Sequence, residues 1–223
     1  MLPLTLPAGA LPRVLCLGAH CDDIDLGCGG TLLRLREEHP ALDVRWVIFC
    51  SDTRRAAEAR ASATRFVGSD AGTRVTIHEF RDGFLPWQGA AVKEVFEALK
   101  AQAPPDLIFT HTRHDLHQDH RLVCELTWNT FRDHLILEYE IPKWDGDLTT
   151  PNAYVPLEAR HAEQKIAILL DAYASQRERG WFDADTFRGL MRLRGVESNA
   201  PGRFAEGFHA RKWVLAPERA KRT

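Results

Sequence analysis

The chain has no long run of apolar residues and no excess of charge of one sign. No apolar stretch approaches the roughly 20 residues that a membrane helix needs, so we expect no membrane span. The 29 basic and 31 acidic residues give a formal net charge of -2 with histidine neutral. A balance this close to zero gives no electrostatic reason to expect a nucleic-acid partner.

Cysteine is also scarce in this chain. There are five cysteines, an odd number, and most of them lie inside apolar runs, which is typical of reduced thiols. The first 12 residues contain three prolines and no basic residue, so they make a poor signal peptide. We therefore expect a cytoplasmic protein.

The sequence does contain a regular alternation of strand and helix patterns. Compact apolar runs predict buried strands, and stretches with helical spacing of apolar residues lie between them. The alternation predicts an α/β fold, a doubly wound and mostly parallel sheet with helices on both faces. The predicted strands are 13–18, 44–50, 74–78, 106–110 and 135–139, and the predicted helices are 31–38, 53–67, 90–102, 119–132, 158–174 and 184–194.

The length of 223 residues suits one α/β domain with a sizeable core. We expect residues 1–223 to form that single domain, with residues 1–12 as an irregular leader. Residues 19–30 and 141–156 are predicted to be loops, and residues 203–215 are predicted to add one or two edge strands. The glycines at 27, 29 and 30 indicate a tight turn or a close approach of the backbone.

Two short segments carry histidines and carboxylates together. The first is Ala19-His20-Cys21-Asp22-Asp23, and the second runs from His111 to His120 with the sequence HTRHDLHQDH. Each follows a predicted strand, and α/β folds build their sites in the loops that leave the strand ends. Two histidines and one aspartate from these loops would make an open site of the kind that a hydrolytic zinc ion requires.

The spacing within the first segment separates two roles. His20 and Asp23 lie three residues apart, so one tight turn could direct both side chains to one ion. Asp22 lies between them, points differently, and remains free to act as a general base. Taken alone, however, an Asp-Asp pair is also common at a helix cap or on an exposed surface.

The second segment offers the remaining groups. His120 could supply a third ligand, and His117, three residues earlier, could face the substrate and stabilise an oxyanion or protonate a leaving amine. Asp119 could orient one of these imidazoles. A solvated turn is the simpler interpretation of a histidine-rich loop, and the glycines at 27–30 leave a dinucleotide-binding loop open as an alternative.

These motifs resemble a known family. The pattern A-H-x-D-D-x-x-x-G-x-G-G-T-L at residues 19–32 and the pattern T-H-x-x-x-D-x-H-x-D-H at residues 110–120 resemble the LmbE-like, or PIG-L, de-N-acetylases. Weaker similarities follow in Arg55-Ala-Ala-Glu58, Tyr173-Ala-Ser-Gln176 and Ala205-Glu206-Gly207-Phe208. The resemblance therefore extends along most of the chain.

The resemblance implies a Rossmann-like fold and zinc-dependent removal of an acyl group, usually acetyl, from the nitrogen of an amino sugar. It implies three metal ligands, His20, Asp23 and His120. Asp22 would be the general base, His117 would assist the tetrahedral intermediate or the leaving amine, and Asp119 would support the histidines. Arg55 matches a position that contacts the substrate in relatives, and Glu206 is either functional or structural.

Several points stay open from the sequence. Cys21 stands where the family usually has proline, and Ile24 stands where it often has glutamate, so Cys21 is a candidate soft ligand. The metal is zinc or Fe²⁺, the partner is a small-molecule amino sugar, and a homo-oligomer is an open question. Trp87, Trp181 and the segment 140–147 suit the stacking of a sugar ring. The alternatives are a zinc amidohydrolase for non-sugar N-acyl compounds and a non-catalytic nucleotide-binding module.

Overall fold

The computed structural model describes residues 13–68 and 73–214, which form one seven-stranded sheet with helices on both faces. The predicted leader at 1–12 and the end of the predicted tail at 215 lie outside the described residues. The strands are β1 Arg13–Gly18, β2 Asp43–Cys50, β3 Thr73–Phe80, β4 Leu107–His111, β5 Leu135–Tyr139, β6 Ala153–Leu157 and β7 Phe204–His209. The α-helices are α1 Asp23–Glu38, α2 Thr53–Val67, α3 Gly89–Lys100, α4 Gln118–Thr130, α5 Ala159–Ala172 and α6 Ala184–Glu197.

The order of the strands places the two motif loops side by side. The sheet runs β3-β2-β1-β4-β5-β7-β6, and β1 to β5 are parallel. The chain therefore extends the sheet to one side of β1 through β2 and β3, then to the other side through β4 and β5. A crevice forms at such a reversal, between the carboxyl ends of β1 and β4, and the motif loops leave these two ends.

The continuous apolar sequence of the central strands fits their burial on both faces. Along β1, Val14 and Cys16 pack into one core cluster, whereas Leu15 and Leu17 pack into the other. Helices α1, α2, α5 and α6 cover the first face, and helices α3 and α4 cover the second. The predicted doubly wound, mostly parallel α/β fold is confirmed.

The start of the first helix was predicted incorrectly. Helix α1 begins at Asp23, within the predicted loop 19–30, and it contains a kink at Cys28, where φ is −142°. The kink lies between the first turns of α1 and the predicted helix at 31–38. Glu206 accepts hydrogen bonds from the N–H groups of Gly30 (2.8 Å) and Thr31 (2.6 Å), and it pairs with the buried Lys165. Its carboxylate thus has a structural role at the kink.

The end of the sheet also differs from the prediction. The predicted loop 141–156 contains all of β6 except its last residue, Leu157. Strand β7 lies inside the sheet, antiparallel to both β5 and β6, so β7 is not an edge strand. Pro156 obscured β6 in the sequence, because proline lacks the N–H that a central strand needs. An edge strand tolerates this loss, and β6 is at the edge.

Gly27 allows α1 to lie directly against β5. A Cβ atom added at Gly27 would lie 2.2 Å from Cδ2 of Tyr139, whose hydroxyl donates to the Leu17 carbonyl at 2.6 Å. Because that ring is buried and anchored, we expect Gly27→Ala to lower the free energy of unfolding by about 1–3 kcal/mol in urea denaturation. Gly189→Ala in α6 is the control, since no atom apart from the neighbouring backbone of the helix itself lies within 4 Å of its added Cβ. Equal stability of the two variants would contradict the packing described here.

Candidate active site

The two motif loops bring the predicted site residues together at the crevice. Asp22 precedes the first residue of α1, and His117 precedes the first residue of α4. His20 bridges the loops, because its ring lies 4.8 Å from the ring of His117 and 5.0 Å from the ring of His120. All of these side chains are buried except that of His117, which is half-buried.

The three predicted metal ligands contact one another. Nδ1 of His20 lies 3.0 Å from Nε2 of His120 and 3.4 Å from Oδ2 of Asp23, and Nε2 of His120 lies 3.6 Å from Oδ1 of Asp23. Ligand atoms bound at the usual zinc distances in a tetrahedron are about 3.4 Å apart. One oxygen of Asp23 faces each histidine, so the three side chains lie close enough to converge on a single small divalent ion.

The outer nitrogens of both imidazoles face carboxylates, and their inner nitrogens face each other. Nε2 of His20 lies 3.3 Å from Asp119 and 3.0 Å from Asp82, and Nδ1 of His120 lies 2.8 Å from Asp115. Carboxylates only accept hydrogen bonds, so these outer nitrogens carry the protons. Burial alone would lower the pKa of His20, but Asp23, Asp119 and Asp82 raise it well above its usual range, so its Nδ1 also carries a proton and donates to Nε2 of His120 at 3.0 Å. A divalent ion bound between the two rings would displace that proton. The donor set fits zinc, and two histidines with one carboxylate also suit Fe²⁺.

Two further histidines lie near enough to form overlapping clusters, but one ring nitrogen of each accepts a backbone N–H. The groups whose ligand atoms lie close enough to hold an ion are His20 with His117 and His120, Asp23 with His111 and His120, and His20 with Asp82, His117 and Asp119. The proposed set takes its members from the first two groups. The Ala19 N–H donates to Nε2 of His111 at 3.0 Å, and the Asp119 N–H donates to Nδ1 of His117 at 3.2 Å. These bonds use the lone pairs that a metal would need, which favours the set of His20, Asp23 and His120.

The electrostatics of the cluster suit cation binding. Burial and the neighbouring His111 lower the pKa of His120 to about 4, so its imidazole is neutral at physiological pH. Burial alone would raise the pKa of Asp23, but His120, His111 and His20 lower it well below its usual range. The cluster thus places an ionised carboxylate beside a neutral His120 and a protonated His20, whose Nδ1 proton a bound metal ion would displace.

The predicted base lies beside the predicted substrate-binding residue. The guanidinium of Arg55 donates to Oδ1 of Asp22 at 2.7 Å and lies 3.9 Å from Asp82. Burial raises the pKa of Asp22, and the charge of Arg55 opposes that rise. Arg55 therefore lies within the crevice and contacts the carboxylate that the sequence nominates as the base.

His117 and Asp119 are held by backbone contacts. Because Nδ1 of His117 accepts the Asp119 N–H, a neutral His117 carries its proton on Nε2. Burial lowers the pKa of His117. Asp119 accepts the N–H groups of Gly83 (2.7 Å) and Leu85 (3.0 Å), which fixes its carboxylate against His20. The structure thus places Asp119 where it supports a histidine.

Four residues at the site were missed in the sequence. Asp115 and His111 stand at fixed positions of the second motif, so the motif itself contained the signal. Asp82 follows the carboxyl end of β3, and the rule applied to β1 and β4 would have identified it. Lys143 comes from the segment between β5 and β6, and no local pattern in the sequence marks it.

Two residues whose roles the sequence left open, Cys21 and Trp181, have clear surroundings in the structure. The Cys21 thiol donates to the Ser51 hydroxyl at 3.3 Å and the Cys50 carbonyl at 3.6 Å, and burial raises its pKa to about 11. Within 13–68 and 73–214, no cluster that could hold an ion includes a cysteine. Trp181 packs against Phe182 and the core, so it does not offer a free ring to a sugar.

A comparison with protein families identifies the family of this chain. The profile of PIG-L, GlcNAc-PI de-N-acetylase, matches residues 15–131, which contain both motif loops and the strands that carry them. The chain belongs to this deacetylase family. No curated protein matches its sequence, and in the described part of the chain no helix is long and apolar enough to cross a membrane.

Solved structures share the fold at low identity. N,N'-diacetylchitobiose deacetylase from Pyrococcus horikoshii is 20% identical, with a TM-score of 0.66 over 89% of this chain and 83% of that one. The conserved protein TT1542 from Thermus thermophilus is 23% identical, with a TM-score of 0.71 over 94% and 100%. The 4-carboxy-2-hydroxymuconate hydratase from Pseudomonas putida is 14% identical, with a TM-score of 0.70 over 93% and 100%. Identities this low show the fold alone, and the hydratase shows that the fold serves more than one reaction.

Proposed function

We propose that the protein is a metal-dependent hydrolase that removes an N-acetyl group from an amino-sugar substrate. The observation that carries this proposal is the meeting of Nδ1 of His20 and Nε2 of His120, 3.0 Å apart, beside the carboxylate of Asp23. Membership of a de-N-acetylase family supports the type of reaction. Zinc is the proposed ion, and Fe²⁺ is the alternative that the same donors accept.

The residues around this cluster supply the proton transfers. The chemistry that such an ion supplies is Lewis acidity, which polarises a carbonyl and lowers the pKa of water. Asp22 takes the proton from the attacking water, because burial makes its carboxylate more basic while Arg55 keeps it ionised. His117 donates a hydrogen bond from Nε2 to the oxygen of the tetrahedral intermediate, and the proton that Asp22 took from water passes to the leaving amine.

The rim of the crevice supports an amino-sugar substrate. The ring of Trp144 is 70% exposed in the segment after β5, and that of Trp87 is 74% exposed in the segment after β3. Both segments touch the site, through Lys143 on Asp115 and through Gly83 on Asp119. Exposed indole rings stack readily on the apolar face of a sugar.

We expect Trp144→Ala to raise KM for an N-acetylglucosamine glycoside about threefold to tenfold while kcat stays within about twofold, since stacking contributes about 0.5–1.5 kcal/mol. Steady-state kinetics on the metal-loaded protein measure both constants. Leu193→Ala is the control, because Leu193 is 50% exposed on α6, outside the segments that form the site. An unchanged KM in Trp144→Ala would remove this ring from the substrate site.

The reaction is tested by measuring carboxylate release. The zinc-loaded protein is incubated with N-acetylglucosamine glycosides, N,N'-diacetylchitobiose and N-acetyl amino acids, and acetate is quantified with and without a chelator. We expect chelator-sensitive release from the sugars. Release from the amino acids alone would identify a non-sugar amidohydrolase, and tight dinucleotide binding without metal or turnover would identify a binding module.

We also propose a cytoplasmic location. All five cysteines are free and buried, which fits a reducing compartment. Cell fractionation with detection of the protein in each fraction tests this location, and recovery outside the cytoplasmic fraction would contradict it.

A further inference from the structure

The segment between β5 and β6, residues 140–152, lies beyond the family match, which ends at residue 131, yet it contacts the site. Its contact is Lys143, whose side chain is only 8% exposed. Nζ of Lys143 lies 3.2 Å from Oδ1 of Asp115 and pairs at short range with Asp147. The chain turns back at Gly146, where φ is +63°, and this turn brings Asp147 to the lysine.

Asp115 is the group through which Lys143 reaches the site. This carboxylate is 1% exposed, and its Oδ2 accepts from Nδ1 of His120 at 2.8 Å. Its Oδ1 accepts the His117 N–H, also at 2.8 Å. One buried carboxylate thus orients a proposed metal ligand and the proposed proton donor together.

Asp147 fixes the same loop from the other side. Its Oδ2 accepts the Leu116 N–H at 2.8 Å, and its side chain is 5% exposed. Two nearly buried carboxylates therefore meet at one ammonium group. Without that charge they would repel each other strongly, because water screens buried charges poorly.

We propose that Lys143 is a positioning residue. Its ammonium group neutralises Asp115 and Asp147 together. It thereby fixes the loop 112–117, and with it the positions of His117 and His120 that the site requires. The expected loss of kcat rests on the proposed function, whereas the expected change in the geometry of the metal ligands needs only a bound metal. The residue acts through Asp115 and does not touch substrate.

The test uses four variants of the full chain with Co²⁺ bound, because the visible spectrum of Co²⁺ reports ligand geometry independently of turnover. Lys143→Met should alter the spectrum and lower kcat about tenfold, the scale seen when a partner of a metal ligand is lost. The double variant Lys143→Met with Asp147→Asn should restore the spectrum and kcat towards wild type, because the repulsion between residues 115 and 147 is removed. Lys143→Arg should keep the wild-type spectrum.

Lys93→Met is the matched control, since Lys93 on α3 bonds to the Thr130 hydroxyl at 3.0 Å and pairs with Glu97, away from the motif loops. An unchanged spectrum and kcat in Lys143→Met, with only a lower melting temperature as in the control, would overturn the inference. If Lys143→Met does not fold, the inference requires that the double variant folds. Failure of both variants to fold would also overturn the inference.

Failure of the proposed function gives a different result. A wild-type protein that shows the Co²⁺ spectrum but releases no acetate would contradict the proposed reaction, while the spectra of the variants would still test Lys143. A wild-type protein that binds no Co²⁺ would contradict both the proposed ligand set and the inference that depends on it.

Discussion

Asp22→Asn is expected to lower kcat about a thousandfold while the protein keeps its metal. A positioned general base contributes about 10²–10⁴-fold, and the amide cannot accept the proton from water. The amide has the same shape and can still accept the hydrogen bond of Arg55, so packing should be preserved. Steady-state kinetics, with metal content from plasma emission spectrometry, measure the two effects separately.

The control for this variant is Asp52→Asn, which lies at the start of α2 near the same arginine. Asp52 caps α2 by accepting the Arg55 N–H at 2.8 Å, and asparagine caps a helix about as well as aspartate. We expect normal turnover in the control. Normal turnover in Asp22→Asn would rule out Asp22 as the base, and loss of metal in that variant would make it a ligand.

His120→Ala should lose the metal. The substitution removes one of three proposed ligands, so affinity should fall more than the roughly 10–100-fold that follows loss of a ligand's partner. Equilibrium titration against a chelating indicator measures the affinity. Turnover at saturating substrate should fall in parallel, because the remaining His20 and Asp23 leave the site incomplete.

His114→Ala is the control for the loss of a histidine from the same loop. The side chain of His114 is exposed and contacts His209, not the cluster. We expect this variant to bind metal like the wild type. Full metal occupancy in His120→Ala under the same conditions would refute the proposed ligand set.

The fold was largely predictable because its central strands are buried on both faces. Runs such as Val14 to Leu17 cannot be hidden by a one-sided sheet, so they indicate a parallel sheet covered by helices on both sides. The pattern failed at α1, because the first turns of that helix are rich in aspartate and glycine, and Ile24 and Leu26 are spaced two residues apart and form no helical stripe. It also failed at β6, where Pro156 argues against a strand unless the strand lies at an edge.

The site was predictable only in the part that two local motifs encode. His20, Asp22, Asp23, His117, Asp119 and His120 are close in sequence within each motif, and the strand order makes the motifs neighbours. Asp82 follows β3, so the strand-end rule could have identified it from the sequence. Lys143 joins the site through a tertiary contact alone, and such a contact leaves no periodic signal in a single sequence.

The central claim is that one divalent ion is held between the two motif loops. Anomalous diffraction from zinc-soaked crystals, recorded on both sides of the zinc absorption edge, tests it most directly. We predict a zinc peak in contact with His20, Asp23 and His120. A peak on the other side of His20, bound by Asp82 and His117, or no peak at millimolar zinc, would contradict the account.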